Sequence, residues 1–137
     1  MIRSRLGSTG LFAFAALVVL GSVASSIARA ENEAKPIRAL LVIGGCCHDY
    51  QQQKDLLTKG ISARANVQWT IAYDGEKGTG HLNPIFENPD WAKGFDVVVH
   101  DECSAGISDV AAIDRVLKPH REGLPAVVLH CAMHSFR

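Results

Sequence analysis

Residues able to do chemistry gather at the ends of three apolar runs. IRALLVIGGCCHDY ends in Cys46, Cys47, His48 and Asp49, FDVVVHDECS in His100, Asp101, Glu102 and Cys103, and LPAVVLHCAMHS in His130, Cys131 and His134. Imidazoles beside carboxylates are the groups of acid–base catalysis near neutral pH. The same groups suit a divalent transition metal such as zinc, manganese, iron or nickel. A thiol next to an imidazole is a nucleophile with its base. Each of these chemistries requires the three run ends to meet.

The runs themselves supply the means. Short stretches of β-branched and apolar residues, bounded by glycine or polar clusters, read as buried parallel strands. In an open α/β sheet, parallel strands deliver their carboxyl ends to one edge, where ligands bind. One crevice is therefore expected to hold His48, Asp49, Asp101, Glu102, Cys103, His130, Cys131 and His134. Within it, His48, Asp49, His130 and His134 are the candidate catalytic groups, with Asp49 orienting His48 and Cys131 as the thiol alternative. Asp101, Glu102, Gly44 and Gly45 are candidates for holding substrate, and His48, His130 and His134 for a metal. No compact metal-binding spacing of the HExxH kind is present, so the metal reading rests on convergence alone.

The positioning elements follow in order. Residues 37–43 form the first strand, and Gly44-Gly45 turns the chain. Residues 51–65 read as a helix with Leu56, Leu57 and Ile61 facing inward. In residues 67–73, Val67, Trp69, Ile71 and Tyr73 alternate as in a half-covered strand. The long irregular stretch 74–94 is either a lid or one wall of the crevice, or a surface excursion pinned by Phe86 and Trp91. Residues 95–100 form a third strand. Ser108 is expected to cap the next helix, with Asp109 in its first turn. Val110, Ile113, Val116 and Leu117 make that helix's buried stripe, and Pro119 should end or kink it near Lys118. Gly123 closes the turn before a fourth strand, 124–129. This βαβ–loop–βαβ order predicts an α/β fold, a doubly wound parallel sheet. His81 and His120 are expected to face solvent, His100 to be buried and satisfied, and Asp74 to cap a turn.

Composition narrows the setting. Arg3 and Arg5, the apolar run LFAFAALVVL and the Ala28-Arg29-Ala30 site have the pattern of a secretory signal peptide over residues 1–30. That makes an exported protein, periplasmic or extracellular, with no membrane association after cleavage. Loss of Arg3, Arg5 and Arg29 leaves 11 basic residues against 14 acidic ones, a net charge of −3. No basic patch remains, which argues against nucleic acid as a partner. Export also permits disulfides among the four cysteines. A bridge between loops is geometrically possible, whereas adjacent Cys46 and Cys47 are expected not to pair because of the backbone cost. With the fourth strand so near the last residue, no helix is left to cover it. The domain over residues 37–137 is therefore expected to be an incomplete, amino-terminal portion.

GGCCHDY resembles the GGHHDF-like opening of the trehalose-utilisation (ThuA-like) family. LHCAMHSF resembles that family's later IHSASDTF-like segment, with His130 matching its histidine and Phe136 its aromatic residue. FDVVVHDEC is similar to its third strand. The resemblance implies a flavodoxin-like sheet related to class I glutamine amidotransferases. It further implies a link to disaccharide or keto-sugar metabolism, with a sugar or sugar derivative as the small-molecule partner. Cys131 falls where an amidotransferase carries its nucleophile, but without the glycines that usually flank that turn. The functional expectations are thus an exported domain acting on a sugar by His/Asp acid–base or metal-assisted chemistry, a non-catalytic carbohydrate-binding or interaction module, and a Cys-dependent amidotransferase or hydrolase.

Overall fold

The computed structural model describes residues 34–136; the expected signal peptide lies outside them. The elements are β1 (Ile37–Gly45), α1 (Tyr50–Ser62), β2 (Val67–Asp74), a 3-10 turn at Pro84–Glu87, β3 (Val97–Cys103), α2 (Val110–Arg121), β4 (Ala126–Val128) and a second 3-10 turn at His130–His134. All four strands are parallel in the order β2-β1-β3-β4. This is a doubly wound α/β arrangement of flavodoxin-like type. The chain goes one way from β1 to β2 and the other way to β3, so the switch point lies between the carboxyl ends of β1 and β3.

Strand alternation divides the core between the two sheet faces. Leu40, Val42 and Val98 pack with Phe86, Trp91 and Val116 on one side. Leu41, Ile43 and Val99 pack with Tyr50 and Cys103 on the other. The central strand β1 is buried from Ala39 onward, which explains why its sequence is continuously apolar rather than alternating. At its start, Arg38 makes a two-pronged ion pair with Asp96, whose carboxylate also accepts from the Arg38 backbone N–H.

Several local expectations need correction. On α1 the inward residues are Tyr50 and Leu57, whereas Leu56 is 65% exposed; Leu56 sits one step, about 100°, round the helix from Leu57. The cap of α2 is Asp109, accepting from the Ala111 N–H, and not Ser108. That shift leaves Val110 exposed and puts Ala112 with Val116 in the buried stripe. Strand β3 runs on to Cys103, so His100, Asp101 and Glu102 lie within it.

Pro119 does not end α2, which continues to Arg121. A proline removes the N–H that would bond the carbonyl four residues earlier, here that of Arg115. The indole N–H of Trp91 supplies the missing donor, at 3.1 Å from the Arg115 carbonyl oxygen. Trp91 stacks edge-on against the buried Phe86, and these two rings pin the 74–94 stretch to the sheet. The first residues of that stretch, Asp74 to Lys77, form a wall of the crevice instead. The wall is thus formed by the start of the loop, and the pinned surface excursion by the rest.

Candidate functional site

The crevice is set by close backbone approaches that only glycine permits. A Cβ on Gly44 (φ +145°) would sit 2.2 Å from the Asp74 carbonyl oxygen, and one on Gly45 (φ +97°) 2.6 Å from that of Cys103. These glycines draw the ends of β2 and β3 against β1. Beyond them, the loop Cys46–Asp49 and the end of β2 enclose an open cleft of about 720 Å³, lined by His48, Asp49, Tyr50, Tyr73, Asp74 and Glu76 among others.

At the cleft's rim, β1 and β4 bring three side chains together. His48 Nε2 lies 3.2 Å from His130 Nδ1 and 3.2 Å from Cys131 Sγ. The rings meet edge to face with centroids 5.1 Å apart. His48 Nε2 carries at most one proton, so within this trio donor and acceptor roles are exchangeable. His130 adopts φ +25° where the chain leaves β4 for the 3-10 turn; this uncommon backbone turns its ring toward His48. Tyr50 meets the His48 ring edge-on with centroids 5.6 Å apart, and Asp101 acts electrostatically on Tyr50 and Cys131. The Tyr50 hydroxyl is buried without a hydrogen-bond partner. Burial first, and then negative charge on Cys131, Cys103 and Asp101, raise its pKa far above the usual phenol value.

The expected site residues divide. His48, His130 and Cys131 converge. Among the described residues there are two groups of potential metal ligands, and in each the donor atoms lie within 4.8 Å of one another. One is Cys46, Cys47 and Cys103, the first two of which are joined in a disulfide. The other is His48, His130 and Cys131, which contains Cys131 rather than His134. His134 is exposed at the end of the 3-10 turn, outside that cluster. Asp49 does not orient His48: its carboxylate accepts from the Gln52 N–H and caps α1. An aspartate just before a helix offers its oxygen to the first unbonded amides, which settles its direction.

Asp101 and Glu102 are only 1% and 2% exposed, each with one carboxylate oxygen buried and unpartnered. As neighbours in a strand they face opposite sides of the sheet. Burial, then the adjacent Glu102, push the Asp101 carboxyl up to about 6. Glu102 bonds His100 Nδ1 at 2.8 Å, and His100 Nε2 lies 3.0 Å from His120 Nε2. His120 Nδ1 donates to the Leu124 carbonyl at 2.9 Å. His120 is thus held in a chain of polar groups rather than facing solvent, and burial lowers its pKa. The buried, satisfied His100 matches expectation; its link to His120, twenty residues away, left no local signal. Asp74 caps its turn by accepting from the Glu76 N–H, and it also pairs with His81, which is therefore not simply solvent-facing.

Cys46 and Cys47 are joined to each other, against expectation, while Cys103 and Cys131 are free thiols. Cys47 takes φ +87°, the left-handed turn that this adjacent pairing uses. Burial and the nearby Cys103 raise the pKa of Cys131. That is the reverse of an activated cysteine nucleophile, whose thiolate is favoured.

No family model, no curated protein and no solved structure matches this chain. What fold and site define is a doubly wound α/β domain with an imidazole–imidazole–thiol trio at the carboxyl edge of its sheet. Among the described residues, no helix is long and apolar enough to cross a membrane.

Proposed function

We propose that this is an exported ThuA-like domain that enolises a keto-sugar or related sugar derivative by imidazole acid–base chemistry. The observation that carries the reading is the His48–His130 pair, 3.2 Å apart at the rim of the polar, aromatic-edged cleft. A neutral imidazole takes the proton from the carbon beside the substrate carbonyl. A protonated imidazole gives its proton to the carbonyl oxygen, and an enediol forms. Return of the protons in the other order yields the isomer or epimer. Tyr73, Asp74 and Glu76 offer a ring face and acceptors for sugar hydroxyls.

The donor set favours one variant. His48, His130 and Cys131 match the three protein ligands of a catalytic zinc-type site with an open position. When bound, such an ion would polarise the substrate carbonyl. Elemental analysis of protein purified without chelator, compared with His48→Ala, separates the two forms of the reaction.

The reading is tested by incubating the full chain with a panel of keto-sugars in deuterated water. Proton NMR should show loss of the signal next to the carbonyl, abolished in His48→Gln and kept in Asp49→Ala, since Asp49 serves the helix. Binding of a sugar with no exchange would favour a non-catalytic carbohydrate module. Exchange that survives His48→Gln would overturn the mechanism.

A further inference from the structure

The sheet register makes a second chemical site beside the first. Gly45 is paired with Cys103 across β1 and β3, so the next residue, Cys46, arrives directly over the end of β3. Cys46 Sγ lies 3.4 Å from Cys103 Sγ. Cys46 is already bonded to Cys47, and Cys103 is a buried free thiol. A thiol resting against one sulfur of a disulfide is the starting arrangement of thiol–disulfide exchange, which requires access and a leaving sulfur. The leaving sulfur would be that of Cys47, which is exposed and lines the 720 Å³ cleft. Its φ of +87° is a conformation that cysteine seldom adopts unless constrained. The register of β1 and β3, which pairs Gly45 with Cys103, keeps Cys46 beside Cys103.

We propose that Cys46, Cys47 and Cys103 form a thiol–disulfide exchange site that accepts low-molecular-weight disulfides from the cleft. In the first step the Cys103 sulfur attacks Cys46 Sγ. The Cys46–Cys47 bond breaks, a Cys46–Cys103 bond forms, and the electron pair departs on Cys47 Sγ. The proton lost from Cys103 passes to solvent or to Cys47, and no oxidant or reductant is consumed. In the second step the freed Cys47 thiolate attacks a small disulfide RSSR, forming a Cys47–SR mixed disulfide and releasing RS⁻. The chain then carries a covalent adduct in the cleft while keeping one internal disulfide. Cys131, which contacts His48 and also lies beside Cys103, is not required for either step. This site stands independently of the sugar reading.

The experiment uses the full chain purified without reductant and exposed to 2-hydroxyethyl disulfide. Reaction is quenched in acid, followed by low-pH digestion and mass-spectrometric mapping. The expected products are a mercaptoethanol adduct on Cys47 together with a Cys46–Cys103 linked peptide. Both should be lost in Cys103→Ser, which should retain the Cys46–Cys47 pair. An adduct confined to Cys103 or Cys131 with Cys46–Cys47 intact, an unmodified Cys47, or a Cys47 adduct persisting in Cys103→Ser would each overturn the proposal. So would four free thiols in the denatured, unreduced chain. The wild-type map decides the matter even if the variant fails to fold.

Discussion

Asp101 shows how much a single buried residue can control. Its carboxyl is pushed up to about 6, chiefly by burial. An acid with a higher pKa folded than unfolded binds more protons in the folded state, so the stability it retains in acid is lost as pH rises through about 6. The full loss, present above that pH, is up to about 3 kcal/mol. Urea unfolding at about pH 4.5 and about pH 8 captures about two thirds of it: the wild type should lose stability relative to Asp101→Asn at the higher pH. Equal differences at both pH values would mean that Asp101 titrates normally. At this scale the sequence was a good guide to which residues meet and a poor one to their state. His48, His130 and Cys131 were legible because each follows an apolar run. Asp101 and Glu102 were misread because polar residues usually mark a strand's end, and here they continue inside it, with Glu102 satisfied in part by His100. The adjacent disulfide escaped because its cost is local, while the turn that accommodates it depends on Gly45 and Cys103.

Among the elements, α2 was the hardest to read, and for an instructive reason. A proline at position 119 argues for a helix end, and locally the argument is sound. The remedy comes from a tryptophan remote in sequence, bonded to the carbonyl that the proline leaves without a donor. Trp91→Phe should therefore cost about 1 kcal/mol or more from the orphaned Arg115 carbonyl. Adding Pro119→Ala restores the backbone N–H and should recover part of that loss. The two substitutions should thus couple by at least about 0.5 kcal/mol in a double-mutant cycle read by thermal or urea unfolding. Additive effects would show that the indole bond adds no stability. The order of strands and helices, in contrast, was legible throughout, since each β-branched run and each helical stripe acts within a few residues of itself. Boundaries shifted where a side chain could cap from either of two positions, as Ser108 and Asp109 do.

For the molecule as a whole, the parallel sheet and the position of the crevice at its carboxyl edge followed from connectivity, because parallel strands joined by helices can be arranged in few ways. The pairing of elements across the two faces did not follow, since it depends on which side chains reach which helix. The chain has two tryptophans, and each indole N–H is bonded to a different covering helix: Trp69 to the Ser62 hydroxyl at the end of α1, Trp91 to the Arg115 carbonyl in α2. Each face of the sheet thus carries its own fluorescent reporter. In Trp69→Phe the remaining emission follows α2, and in Trp91→Phe it follows α1. Coincident urea transitions in the two variants, each compared with its own circular dichroism, would mean that both layers detach in one step. Separated transitions would identify the helix that leaves first, and with it the face from which the sheet begins to open.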